Sequence, residues 1–206
     1  MLETLIALTE TGEFDDSGGV RLSSVQEASD GLVLELIVLP GDDTEQQWSV
    51  QCSSVREYRL HGEFANGVHV FPEHPVLFPF TEHVTGLYFS CPAVNPSATV
   101  GALWERHRHL VGVWLPFERF LNVLPKGLSA LLASSSGHLA SGPVPLLQAY
   151  AEVLTEHGVR SSLLPSRPPQ YWDGEQWVVP ANPLHALVFG YSYVVAERFH
   201  AERSAA

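Results

Sequence analysis

The feature that most constrains the fold is a change of hydrophobic period part-way along the chain. Before residue 95 apolar residues alternate or run in short blocks; after it they recur at helical spacing. "GLVLELIVL" (31–39) is nearly continuous apolar sequence, the pattern of a central strand covered on both faces. It ends at "PGDDTEQ", where Pro40, Gly41, Asp42 and Asp43 supply turn chemistry. In "QWSVQCSS" the side chains of Trp48, Val50 and Cys52 point one way, and those of Gln47, Ser49, Gln51 and Ser53 the other. That alternation gives a strand with one wet face. "GVRLSSVQEAS" begins the series, and "REYRLHG", "GVHVF" and "TGLYFSC" continue it. Their short connections predict an antiparallel meander.

The second half reads differently. Asn95-Pro96 is a helix start, with a side-chain acceptor for orphan amides followed by a residue of preset φ. Val100, Leu103, Trp104, Leu110, Val111 and Trp114 then form one apolar stripe, which Pro116 stops. Short helices are expected at "PFERFLN" and "GLSALLA". "VPLLQAYAEVLTEHG" reads as an amphipathic helix with Leu147, Tyr150 and Leu154 inward and Gly158 as its stop. Asp173-Gly174 in "YWDGEQW" is the strongest hairpin signal in the chain. Over those seven residues it resembles the W-D-G-x-x-W closing hairpin of some small bacterial β-modules. "ALVFGYSYVVAERF" reads as one strand after a short helical turn at "NPLHAL". The expected fold class is α+β: an N-terminal antiparallel meander, a helical region, then a C-terminal hairpin and strand. One domain over 1–206 is expected, β-rich over 1–94, helix-rich over 95–160, with hairpin and final strand over 161–200.

With 45% apolar and 17% charged residues in 206, the chain has ample material for a core. No apolar run reaches the ~20 residues a bilayer span needs, and the acidic start "MLETLIALTETGEF" is unlike a signal peptide. Cys52 and Cys91 make no metal-type spacing and read as buried free thiols of a cytoplasmic protein. One lysine against ten arginines suggests a GC-rich genome. The net charge is −12, and residues 1–50 hold −10 of it, eleven acids against Arg21 alone. Such a field repels nucleic acid and anionic membrane and suits a protein partner with a basic surface.

"FPEHPVLFPFTEHV" (71–84) gathers metal-ligating residue types with three prolines. Zinc needs three or four ligands converging at about 2.0–2.3 Å. His69, Glu73, His74, Glu82 and His83 could supply them only if Pro72, Pro75 and Pro79 allowed a compact loop; the prolines predict a stiff, extended path instead. The expected role is packing, with Val76, Leu77, Phe78 and Phe80 laid on the core. In "ERHRH", His107 and His109 would lie about 200° apart on a helix and could not share a ligand. His107 falls on the apolar stripe as a hydrogen-bonded boundary residue, and Glu105 and His109 suit a surface pair. "SSSGH" (134–138) places hydroxyls beside an imidazole but lacks the G-x-S-x-G elbow, and reads as a helix-ending turn. Phosphate-binding loops and basic–aromatic nucleic-acid signatures are absent from the sequence.

The residues therefore point to contact with a partner and to no catalytic residue, metal or cofactor. The expected partner-binding set is Asp15, Asp16, Asp42, Asp43 and Glu45 in the acidic turns, with Trp172 as an anchor. A non-enzymatic bacterial interaction protein is the leading expectation; immunity proteins that neutralise toxins share the profile of small, acidic chains steered onto basic partners. A metal-dependent hydrolase using His69, His74 and His83 with Glu73 or Glu82 is the alternative from another class, and a structural subunit of a larger assembly, marked by an exposed hydrophobic patch around the hairpin, is a third.

Overall fold

A computed structural model of the chain describes residues 1–10, 19–39, 44–172 and 174–204. It has an α+β fold whose sheets are antiparallel, and it divides into two compact units, Met1–His74 with Asn182–Ala206, and Pro75–Ala181.

The first unit opens on α1 (Leu2–Glu10), a helix where the sequence had suggested only strands. Leu5 is fully buried on its inner side, and Thr9 ties it down: its hydroxyl donates to Ile6 O at 2.9 Å and accepts from Val68 N at 3.1 Å. The expected meander follows as β1 (Gly19–Ala28), β2 (Gly31–Leu39) and β3 (Gln46–Ser53). The final strand, β13 (Arg198–Arg203), joins the far side of β3, pairing residue by residue from Ser53↔Arg198 to Trp48↔Arg203. Trp48, Val50 and Cys52 face the core as their alternation predicted. β2 alternates as well: Leu32, Leu34, Leu36 and Val38 are buried while Val33, Glu35, Ile37 and Leu39 are half-buried. Both faces are covered, as the apolar run predicted, but one more completely than the other. Each fully buried leucine contributes on the order of 1.5–3 kcal/mol, so one strand face already carries much of this core.

"REYRLHG" and "GVHVF" do not extend the meander. They form β4 (Glu57–Arg59) and β5 (His69–Phe71), the outer strands of a second sheet ordered β4-β12-β11-β5. Its centre corrects the C-terminal reading. "ALVFGYSYVVAERF" is not one strand but β11 (His185–Phe189) and β12 (Ser192–Ala196) folded back on each other, with Gly190 at φ +55 in the turn, where a side chain would be strained. Before it, residues 182–184 form no helical turn. Glu197 alone separates β12 from β13, so the chain passes from one sheet to the other there. The two sheets and α1 share a single apolar cluster that includes Leu5, Leu34, Val50, Val68, Leu187 and Val194.

The second unit holds β6 (Val84–Phe89), which the sequence had placed in the meander, at the centre of a separate sheet. Its neighbours are β7 (Gly137–Pro143) and β8 (Ser161–Leu163). The proline-rich connection is a tight turn over Pro75–Leu77 followed by the four-residue α2 (Phe78–Thr81), not an extended path. Val76 and Leu77 are buried, as expected of a packing segment, and Phe78 and Phe80 are half-buried. α3 (Pro96–Val111) begins where predicted: Asn95 Oδ1 accepts from Ala98 N at 3.1 Å, with Pro96 at the first helical position. It stops at Gly112, before the expected Pro116. A short turn at Phe117–Arg119, then α4 (Pro125–Leu132) and α5 (Val144–Glu156), match the helical readings. Leu147, Tyr150 and Leu154 are fully buried and share a core with Leu87, Phe89 and Leu103. β9 (Tyr171–Trp172) and β10 (Trp177–Val178) close the unit as a two-stranded hairpin.

Candidate functional site

The hairpin holds the most exposed aromatic surface of the second unit. Tyr171 pairs with Val178 and Trp172 with Trp177, so four residues, 173–176, lie between the paired tryptophans and the turn is wider than a two-residue Asp-Gly turn. Directly opposed residues share a face and successive residues alternate. Tyr171 and Val178, both half-buried, therefore form the more covered side, and the indoles stand on the other. Trp172 is 55% exposed and Trp177 64%. Their ring centroids lie 5.9 Å apart with the planes at 67°, an edge-to-face pair that adds about 0.5–1.5 kcal/mol to a hairpin this short. Of the residues singled out in the sequence, Trp172 is thus presented to solvent, as a binding anchor must be, and Trp177 joins it across the strand. Glu45 is exposed, and Asp15, Asp16, Asp42 and Asp43 lie outside the described residues.

Among the described residues, no three histidine, cysteine or carboxylate side chains gather into a group that could hold a metal ion. In the first unit His69 and His74 flank the ring of Phe71, at centroid distances of 5.8 and 5.3 Å, and burial lowers the His74 pKa below the ordinary histidine value. In the second unit His83 Nδ1 lies 3.4 Å from Ser166 Oγ. Both cysteines are free thiols. Burial pushes the Cys52 thiol up to about 12, which leaves it protonated and unreactive. Cys91 is half-buried and its sulfur accepts from Arg160 N at 3.0 Å.

A serine–histidine contact does occur, but with Ser141 and not with the "SSS" run. Ser134 Oγ instead donates to Leu131 O at 2.6 Å, closing α4 as expected. β7 carries a bulge opposite Leu87 and Tyr88, where the pairing passes from Tyr88↔His138 to Leu87↔Ala140 and Gly86↔Ser141. The extra residue puts His138 and Ser141 on the same face although they are three apart. Ser141 Oγ and His138 Nε2 are 2.9 Å apart, and Tyr88 stacks on the imidazole at 4.6 Å. The same Nε2 lies 2.9 Å from the carbonyl oxygen of Ala140. A carbonyl only accepts, so Nε2 carries the proton and has no lone pair to take one from serine. A nucleophilic serine needs the opposite tautomer. The pair braces a bulge.

His107 is fully buried, 1% exposed, and not the boundary residue its place on the stripe suggested. Its Nε2 donates to Leu115 O at 2.7 Å, which leaves Nδ1 to accept from the Tyr150 hydroxyl at 2.8 Å. Burial is the main reason its pKa falls, and Arg108 lowers it further, against the opposing pull of the Leu115 hydrogen bond and Glu118. Burial also raises the Tyr150 pKa, which keeps that donor protonated. Both nitrogens are used in holding the core together.

Two of the concave surfaces among the described residues are open, and their acidic side chains are engaged. In the first unit a cleft of about 530 Å³ contains Val70, His185, Glu197 and Phe199. The two Glu197 oxygens are taken by Arg56 Nη2 at 2.7 Å and Asn182 Nδ2 at 2.8 Å. In the second, a groove of about 820 Å³ runs between α5 and β8, and its Glu152 and Glu156 meet Arg106 at 2.9 and 3.6 Å. No described helix is long and apolar enough to cross a membrane. No family model matches the chain, and neither a curated protein nor a solved structure matches it.

Proposed function

We propose that this chain is a non-enzymatic interaction protein that binds a protein partner through an acidic surface, with an aromatic hairpin as anchor. The observation that carries this reading is the pair of tryptophans held more than half exposed on a closed hairpin, in a chain of net charge −12. Exposed indoles cost solubility unless something covers them, and tryptophan is the residue most enriched among binding hot spots. The charge supplies steering towards a basic surface, as in immunity or inhibitor proteins that capture a cationic target. Two free thiols suit a reducing compartment such as the cytoplasm. The test is affinity purification from the native host with wild type and with a variant carrying Asp15→Lys, Asp16→Lys, Asp42→Lys and Asp43→Lys. A basic protein should be retained by wild type, released by salt as screening shortens the field to about 3 Å at 1 M, and lost from the variant. Equal retention by both would remove the acidic surface from the reading.

A further inference from the structure

We propose that the Trp172–Trp177 hairpin recognises a cationic side chain, an arginine or lysine of the protein partner, on its indole faces. This deepens the reading above and rests on it. The hairpin presents these rings on one face, with half-buried Tyr171 and Val178 on the other, and the indoles lie edge to face at 67°. That arrangement suits one class of ligand better than another. A sugar ring or a nucleobase spanning both tryptophans needs a near-coplanar platform, whereas a compact cation needs one ring face with negative charge close by. Indole is the aromatic ring most favoured by cations. Of the described turn residues Glu175 is acidic and none is basic, and the net charge of −12 repels phosphate-bearing ligands. The protein uses the same chemistry within itself, with guanidinium groups 5.8 Å from the Trp104 ring centroid, 5.1 Å from that of Tyr193 and 5.5 Å from that of Phe64.

The experiment uses the full chain and two Gly/Ser peptides identical except that one carries four arginines and the other four citrullines, which keep the shape and lose the charge. Binding is read from the indole N–H signals in nitrogen-15 NMR spectra, with maltohexaose as a neutral stacking control. The arginine peptide should move the Trp172 and Trp177 signals and bind roughly 3- to 10-fold more tightly than the citrulline peptide. Trp172→Phe and Trp177→Phe, which keep a ring to close the hairpin, should each weaken it measurably, and Trp104→Phe should not. Equal movement by the citrulline peptide or by maltohexaose overturns the proposal. So does arginine-peptide binding of equal strength in both hairpin variants. If that unchanged binding disappears on charge reversal at Asp15, Asp16, Asp42 and Asp43, the acidic surface stands and only the hairpin's role falls. If charge reversal leaves the hairpin signals responding, the hairpin's role stands without the acids.

Discussion

At the scale of single residues the decisive fact is how completely the polar groups of the second core are consumed. His107 reads in "ERHRH" as a hydrogen-bonded boundary residue, yet its two nitrogens hold Leu115 O and the Tyr150 hydroxyl inside an apolar shell. Removing the ring by His107→Ala leaves both partners unsatisfied and opens a cavity, and should cost roughly 2–4 kcal/mol of unfolding free energy. The paired change His107→Leu with Tyr150→Phe should cost less than the single one, because it removes donor and acceptor together. Titration follows from the same burial. The folded protein binds a proton at His107 less readily than the unfolded chain, whose histidines titrate near 6.5. The stabilisation is therefore complete above that pH and is lost as pH falls through the lowered folded-state value. Urea unfolding between pH 7.5 and 5 should show the decline, with a shallower slope in the His107→Leu, Tyr150→Phe variant. An unchanged slope would assign the acid sensitivity to other groups, with His74, also lowered by burial, the first to test.

At the scale of elements, two glycines separate backbone demands from mere composition. Gly31 starts β2 at φ +145, and a Cβ there would run into the carbonyl oxygen of Cys52 on the neighbouring strand. Gly31→Ala should cost roughly 3 kcal/mol or more. Gly101 lies mid-way along α3 with open space around it, so Gly101→Ala should raise stability by about 0.5–1 kcal/mol, or Tm by about 1–4 °C. Thermal melts of the two variants beside wild type check both signs. The elements that could be read in the sequence are those whose cause is local. The Asn95 cap, the Leu147–Tyr150–Leu154 stripe and the alternation at Trp48, Val50 and Cys52 all follow from spacing alone. Trp104 shows where spacing misleads: it sits on the apolar stripe yet is exposed, with Arg108 over its ring. α1 leaves little trace in the sequence because "LETLIALTE" has one fully buried residue, Leu5, and its second anchor, Thr9, works through hydrogen bonds that no hydropathy pattern records. The bulge that brings His138 to Ser141 has no period at all. Within the candidate site, Trp172 was visible as an aromatic beside a turn, but its pairing with Trp177 depended on a loop of four residues where Asp-Gly suggested two.

At the scale of the whole molecule, chain order and unit order differ, and this governs how the protein should come apart. The hydrophobic period changes at residue 95, but the units divide after His74 and after Ala181. The reason is non-local: β11, β12 and β13 return to pair with β5, β4 and β3, leaving Pro75–Ala181 as a continuous segment with its own apolar cluster. Pairing between strands more than a hundred residues apart leaves no local trace, since loop closure over such distances depends only weakly on what lies between. A fragment spanning Pro75–Ala181 should therefore fold by itself, with a cooperative melt and dispersed amide signals. Truncating the full chain after Glu197 removes β13, strips β3 of a ladder that runs from Ser53 to Trp48, and deletes the buried Ala201. Such a loss approaches the 5–15 kcal/mol that holds a domain folded. The truncated chain should lose the native signals of Met1–His74 while those of Leu87, Leu103 and Tyr150 persist. If the isolated fragment shows no cooperative melt, or the truncation erases both sets of signals together, the two cores are one cooperative system in spite of their separate apolar clusters.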